Sequence, residues 1–238
     1  MTTPPITDRA SWQASIDELR VKEKQHTRQG DALSAERRRL PMVAVDPQTP
    51  LTGANGPVPL IDVFEGRSQL IAYFQMWHTG QPAARQCVGC TFWLSHVKEL
   101  SYLHSRDITF AAFSEGPYPE ASRYRDFMGW PFPFYAVPDE SLGRLVAGRE
   151  FGMSVSYLRV GSDVYETYWT TDRGDEYATS SYGFMDRTVY GRQEQQEVSP
   201  EGWPQHFANN GGQWSVNGRP AAQWARLEAG FSDDLGTG

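Results

Sequence analysis

"LIAYFQMWHTGQPAARQCVGCTFWLSH", residues 70–96, joins a strongly apolar run to the only two cysteines of the chain. The run has the length of a β-strand, and we predict a buried strand over residues 69–77. A short loop follows. Apolar residues at helical spacing then begin at the cysteines, which predicts a helix over residues 90–107 that starts at the pair. In open α/β sheets, sites usually lie at such a junction between a strand and a helix.

The segments that follow alternate between strand and helix patterns. We predict strands over residues 108–114, 133–137, 155–160 and 163–170, and short helices over residues 118–130 and 141–151. Gly161, Ser162 and Asp163 form a turn signal between the last two strands, which indicates an antiparallel hairpin. The order predicts the α/β class, with a mixed, mainly parallel sheet that carries helices on both faces.

The central domain is predicted to have an extension at each end. Residues 1–41 form a helical N-terminal extension, and residues 42–170 form the domain. Residues 171–238 are polar and irregular, and we expect them to pack on the domain as a C-terminal extension with a final helix over residues 220–230.

The N-terminal extension combines many charges with a narrow apolar stripe. We predict two helices within residues 8–40, separated at Gly30-Asp31. Such a stripe fits either a solvated helix on the domain or an arm that packs on a second copy, and we expect a homodimer. Residues 41–59 are rich in proline and glycine and are predicted to be a loop.

Composition narrows the class of protein. The chain has 238 residues, a net charge of -7 and an isoelectric point near 5.3, which argue against a generic nucleic-acid binder. No apolar stretch approaches the ~18 residues of a membrane helix, and the N-terminus lacks the apolar core of a signal peptide. We therefore expect a soluble, cytoplasmic protein with no membrane partner. In that reducing compartment, a CxxC pair is more often catalytic, redox-sensing or metal-binding than a structural disulfide.

A cysteine pair at the start of a helix is suited to thiol–disulfide exchange. The thiolate is the attacking species, and the unpaired N–H groups and positive dipole end of a helix start stabilise it. We expect Cys87 to lie exposed at the helix start and attack a disulfide. Cys90, about one turn further in, would then resolve the mixed disulfide, a reaction for which we expect no cofactor.

The sequence around the cysteine pair is also compared with the requirements of haem and metal sites. A c-type haem site needs a histidine directly after the second cysteine. This chain has Thr91 there, which excludes a c-type haem site. A structural zinc site needs two further ligands, and His96 and His104 lie on the same predicted helix, which makes convergence difficult. A copper(I) site formed by the two cysteines and His78 remains an alternative, because soft thiolates select Cu(I). Two inert buried thiols are another.

Several stretches carry a resemblance to a known family over roughly residues 12–205. They are "KEKQHTRQGDALSAERRRLP", "LIDVFEGRSQLIAYFQMW", "CVGCTFW", "MGWPFPFY", "VYETYWTTDRG", "YGFMDRTVYGRQE" and "SPEGWPQ". With the order β, CxxC, α, β, α, β, β, the chain resembles the thioredoxin superfamily. More specifically, it is similar to a bacterial thioredoxin-like family of unknown physiological function, commonly labelled as predicted dithiol–disulfide oxidoreductases. The resemblance implies a thioredoxin-like fold with both extensions, and it implies no substrate.

Two positions depart from ordinary relatives. Thioredoxins place a cis-proline before the fourth strand, facing the cysteines, and the matching residue here is Ser154. Peroxiredoxins place a threonine or serine three residues before the attacking cysteine, where this chain has Ala84, and Pro82 is out of register. The resemblance therefore implies neither an ordinary thioredoxin nor an ordinary peroxiredoxin.

A few residues near the pair are further candidates for the site. His78 is placed to move protons and Arg85 to stabilise a thiolate, whereas Trp77 is also typical of a core residue. The aromatic-rich stretch over residues 165–177 would either cover the cysteines and shape a small-molecule pocket or pack as part of the hairpin. A non-catalytic ligand-binding module on a thioredoxin scaffold therefore remains an alternative to an enzyme.

Overall fold

The computed structural model describes residues 3–207 and 212–237. Within them, the main sheet has eight strands in the order β1-β8-β7-β4-β5-β6-β2-β3. The strands are β1 (Val43–Val45), β2 (Pro50–Gly53), β3 (Gly56–Pro59), β4 (Gln69–Gln75), β5 (Ile108–Ser114), β6 (Phe134–Ala136), β7 (Met153–Val160) and β8 (Asp163–Thr171). A separate two-stranded ribbon is formed by β9 (Ser215–Val216) and β10 (Arg219–Pro220).

Helices of very different length surround the sheet. They are α1 (Arg9–Arg37), α2 (Leu60–Val63), α3 (Val88–Leu94), α4 (Ser101–His104), α5 (Tyr118–Met128), α6 (Asp139–Leu145), α7 (Ser180–Met185) and α8 (Ala222–Glu228). Short 3₁₀ helices cover Ala83–Arg85, Asp172–Ala178 and Gly212–Trp214. The α/β class and the helical N-terminal segment are therefore as predicted.

The sheet is mixed, but the prediction that it is mainly parallel is wrong. Parallel pairing joins β4 to β5 and β5 to β6, whereas the remaining neighbours in the sheet pair antiparallel. The predicted hairpin of β7 and β8 is confirmed. The excess of antiparallel pairs comes from residues 41–59, which were predicted to be a loop and instead supply β1, β2 and β3. Pro57 and Pro59 are tolerated because they lie on β3, an edge strand, and Pro50 is tolerated as the first residue of β2.

The two buried layers on either side of the sheet are seen most clearly around β4. Leu70, Ala72 and Phe74 point to one buried layer, while Tyr73 between them points to the other. The first layer is covered by α2 and α6, and the second by α3 and α5. Burial on both faces explains why this strand is a continuous apolar run in the sequence rather than an alternating one.

The prediction of one helix over residues 90–107 is wrong, because the helix divides. Helix α3 ends at Leu94, and α4 starts only at Ser101. Val97 and Leu100, in the connecting segment, pack against the same buried layer as α3. Tertiary packing has therefore overridden the helical spacing of the apolar residues.

Helix α1 is continuous, so the predicted break at Gly30-Asp31 is also wrong. Glycine in a helix costs about 1 kcal/mol relative to alanine, which a long helix of good helix formers can absorb. The side chain of Asp8 caps the start by accepting from the N–H groups of Ala10 and Ser11. No residue of α1 is buried. Despite this length, none of the described helices is long and apolar enough to cross a membrane.

We propose, as a prediction for this helix, that α1 mediates a homodimer. Its side chains Trp12 and Leu19 are about half exposed, at 44% and 50%, and share one face. The double variant Trp12→Glu, Leu19→Glu should stay folded, because α1 is not part of the core, and should sediment with the 26.8 kDa mass of one chain. The wild type and a Gln25→Glu control should sediment at twice that mass. A wild type that sediments as one chain at micromolar concentration would refute the dimer.

Candidate functional site

The two cysteines lie where β4 leads into α3, as predicted. Cys87 is the N-cap residue of α3, and its Sγ accepts a hydrogen bond from the backbone N–H of Cys90 at 3.3 Å. Cys87 is half-buried, whereas Cys90 is only 2% exposed. The first cysteine is therefore partly accessible to solvent, whereas the second is buried in the core.

The surroundings separate the pKa values of the two thiols. The Cys90 side chain, which hydrogen-bonds to the Cys87 sulfur, lowers the pKa of Cys87 to about 7, with help from the N–H groups of Cys90 and Gly89 and the charge of His78. Burial raises the pKa of Cys90, and the neighbouring Cys87 raises it further. As pH rises, Cys87 is thus the first of the two thiols to ionise, and Cys90 stays protonated and donates to it.

Tyr73 of β4 supports Cys90 from the core side. The phenol is 4% exposed, its hydroxyl interacts with the Cys90 thiol, and burial followed by the charge of Cys90 raises the pKa of Tyr73. Its ring stacks on Trp93 of α3 with centroids 4.3 Å apart. Tyr73 is not predicted from the sequence as a site residue, because it lies inside an apolar strand, where an aromatic residue is typical of a core.

A relay of buried hydrogen bonds holds the start of α3. The Thr91 hydroxyl donates to the Cys87 carbonyl at 2.8 Å, and the Tyr124 hydroxyl donates to Thr91 at 2.7 Å. Gln223 of α8 donates to Tyr124 at 2.7 Å and to the Ala83 carbonyl at 2.8 Å. The C-terminal extension is therefore tied to both sides of the cysteine motif.

The predicted neighbours of the pair have different surroundings. His78 Nδ1 donates to the Arg85 carbonyl at 2.7 Å, so Arg85 contributes its backbone here while its side chain is exposed. Trp77 is buried, and its Nε1 donates to Glu120 at 3.1 Å, which fits a core role. Ser154 lies on β7 directly opposite Tyr73. No peptide bond in the described chain is cis, in keeping with the absence of a proline at position 154.

The copper alternative is not supported by this arrangement. Within residues 3–207 and 212–237, no group of three or more histidine, cysteine, aspartate or glutamate residues is placed to hold a metal ion. His96, considered above for zinc, instead bonds to the Phe92 carbonyl and to the Ser181 hydroxyl, each at 2.7 Å.

A cavity of about 460 Å³ opens beside the cysteines. One wall is α3, and the opposite wall belongs to the C-terminal extension, which includes Tyr182 and Trp214. Trp214 stacks on Phe92 with centroids 5.7 Å apart and donates to the Tyr182 hydroxyl at 2.7 Å. Its ring also covers Gly89, where an added Cβ would stand 3.2 Å from the indole. The second half of the stretch over residues 165–177 lines this cavity.

Asp175 is a buried acid in the cavity wall. It is 4% exposed, and burial raises its pKa to about 7 against the opposing effect of the nearby Ser154 hydroxyl. Its carbonyl accepts from Trp93 Nε1 at 2.8 Å, which fixes the residue over α3. Neither carboxyl oxygen has a hydrogen-bond partner among the described residues. Asp175 is not recognisable in the sequence as a site residue, because its burial depends on contacts with residues far away in the chain.

Comparison with known proteins places the chain in a family. The family model described as "Bacterial protein of unknown function (DUF899)" matches residues 1–214, and the chain belongs to that family. Among solved structures, it is similar to peroxiredoxin Q of Xanthomonas campestris, at 15% identity and a TM-score of 0.42, over 58% of this chain and 92% of that chain. It is also similar to a thioredoxin-like protein from Aeropyrum pernix, at 18% identity and a TM-score of 0.36, over 67% of this chain and 99% of that chain. No curated protein matches.

The lowered pKa of Cys87 predicts the pH dependence of its alkylation. The rate with iodoacetamide should rise with pH with a midpoint near 7. Cys90→Ala removes the largest stabilising contact, so the midpoint should move up towards the ordinary value of about 8.5. Cys87→Ala is the control and should take up no label near neutral pH. Equal midpoints in the wild type and Cys90→Ala would contradict the assignment.

The raised pKa of Asp175 predicts a loss of stability as pH rises. Its unfolded-state pKa is about 3.9, so between pH 4 and 7 the folded protein binds more protons and its free energy of unfolding falls as pH increases. Asp175→Asn should therefore unfold in urea with a free energy higher than wild type at pH 8, by on the order of 1–3 kcal/mol. The two proteins should converge near pH 4.

A matched control for this measurement is Asp163→Asn. Asp163 is exposed at the other end of the β7–β8 hairpin. This variant should follow the wild type at both pH values. If Asp175→Asn were no more stable than the control at pH 8, Asp175 would not be a costly buried acid.

Proposed function

We propose that this member of the DUF899 family is a thiol–disulfide oxidoreductase that uses Cys87 and Cys90. The observation that carries the proposal is the hydrogen-bonded pair at the start of α3, where the half-buried Cys87 is stabilised as a thiolate and the buried Cys90 is kept as a thiol. Two inert thiols would not need pKa values that differ in this way.

The proposed reaction has two exchange steps. The Cys87 thiolate attacks one sulfur of a substrate R–S–S–R′, forms a Cys87–S–S–R bond and expels R′–S⁻, which takes a proton from water. Cys90 then loses its proton and attacks the Cys87 sulfur. The Cys87–Cys90 disulfide forms, and R–S⁻ leaves and takes up the proton. One substrate disulfide is reduced to two thiols, the protein dithiol is oxidised, and an external dithiol reductant resets it.

Positions near the pair favour disulfides over peroxides as substrates. Ala84, three residues before Cys87, has no hydroxyl with which to hold a peroxide. The cytoplasm is the location we propose, because a reducing compartment supplies the dithiol that resets the pair. The net charge of -7 supports a partner other than nucleic acid.

A trapping experiment tests the proposed order of attack. After incubation with a small disulfide, Cys90→Ser should retain one half of it as a mixed disulfide, which mass spectrometry detects. Cys87→Ser should retain none, because the remaining thiol is buried with a raised pKa. The wild type should instead lose two hydrogens as the internal disulfide closes. Adduct formation in Cys87→Ser but not in Cys90→Ser would reverse the roles and refute the proposal.

A non-catalytic ligand-binding protein is the second candidate, favoured by the cavity beside α3. It predicts that ligand binding and biological activity survive in Cys87→Ser and Cys90→Ser alike. A redox titration separates the two candidates, because the oxidoreductase requires a reversible disulfide between the two cysteines and the binding protein does not.

A further inference from the structure

The cavity beside the cysteines contains buried acceptor atoms that make no hydrogen bond to the described residues, although the Ser154 hydroxyl lies near Asp175. Both carboxyl oxygens of Asp175 are buried and without a hydrogen-bond partner among the described residues. The same holds for the side-chain oxygen of Gln213, which also lines the cavity. Buried polar atoms in native proteins are almost always paired, so acceptors left open in a cavity indicate a ligand or water that brings donors.

The other charges at the cavity do not neutralise Asp175. Glu176 is bonded to Arg173 at 2.7 Å and to Arg192 at 3.0 Å, so these two cations are already engaged. Glu194, also buried in the wall, accepts from the Gln196 amide. The lining therefore carries an excess of negative charge that the described side chains leave uncompensated.

The remaining wall of the cavity is aromatic. Phe92, Trp93, Tyr182 and Trp214 all line it, and Trp214 is held by its bond to Tyr182. Flat aromatic surfaces beside an acid are suited to an apolar group that carries a cation. A volume of about 460 Å³ is that of a small-molecule site.

We propose that this cavity binds a small disulfide with an apolar body and a protonated amine, and that the carboxylate of Asp175 receives the ammonium group. An ammonium brings up to three donors, and the two open oxygens of Asp175 are acceptors for them. That the ligand is a disulfide rests on the proposed function. That the cavity binds a cation at Asp175 follows from the cavity itself. The covalent steps are the two exchanges described above.

A kinetic experiment tests the preference for cations on the reacting protein. The Cys90→Ser variant, in which only the first exchange occurs, is mixed with cystamine, with bis(2-hydroxyethyl) disulfide and with 3,3′-dithiodipropionate. The rates should fall in that order of charge, from dication to neutral to dianion. These compounds differ in intrinsic reactivity. The decisive quantity is therefore the rate with cystamine divided by the rate with bis(2-hydroxyethyl) disulfide, compared between protein variants.

Asp175→Asn, added to Cys90→Ser, should lower that ratio about tenfold, as expected for the loss of one charge-assisted hydrogen bond. The rate with the neutral disulfide corrects for any change in the Cys87 thiolate itself. Asp163→Asn, which removes an exposed acid outside the cavity, should leave the ratio unchanged. An unchanged ratio in Asp175→Asn would overturn the inference while leaving the oxidoreductase proposal in place.

A binding experiment without sulfur chemistry separates the two proposals. In Cys87→Ser, Cys90→Ser protein, phenethylammonium should bind in calorimetry, and Asp175→Asn should weaken it about tenfold, whereas neutral phenethyl alcohol should be indifferent to the substitution. If this dependence appears but no disulfide reacts with Cys87, the cation site stands and the redox function falls. Absence of ammonium binding, or binding that does not depend on Asp175, overturns the inference.

Discussion

The contact between Cys90 and the sulfur of Cys87 is the interaction on which the site depends. It requires one thiol to remain protonated and buried while the other, three residues earlier, is half-buried and ionises more readily. A helix start provides this difference, but only if its first turn is held firmly. The relay from Gln223 through Tyr124 and Thr91 to the Cys87 carbonyl provides that restraint from outside α3. A helix of seven residues would have little stability by itself.

The C-terminal extension is consequently part of the site rather than an appendage. Its residues restrain α3, supply one wall of the cavity and carry the buried Asp175. A buried carboxyl without a partner costs folding free energy, and such costs are typical of functional positions, where stability is sacrificed for binding or chemistry. The cost of Asp175 therefore supports a role for the extension that packing alone would not require.

The sequence was sufficient for the parts of the structure that local patterns determine. The strand at residues 108–114 was predicted with the observed ends, because its short length and its apolar and β-branched residues between polar flanks favour a buried strand. The position of the cysteines at a helix start was also correct. The errors arose where long-range packing decided the outcome, as in the proline-rich segment that completes the sheet and in the helix that divides after Leu94. Tyr73 and Asp175 were missed for the same reason, since their chemistry depends on burial by distant residues.

The close approach of Trp214 to Gly89 links the reduction potential of the cysteine pair to the size of the cavity. Gly89 lies between the cysteines, and any side chain there would have to displace the indole that covers it. The residues inside a CxxC motif ordinarily adjust how strongly the pair oxidises or reduces. Here Gly89 also determines how closely the Trp214 ring can approach α3. A substitution at Gly89 would therefore change both the reduction potential of the pair and the width of the cavity beside it.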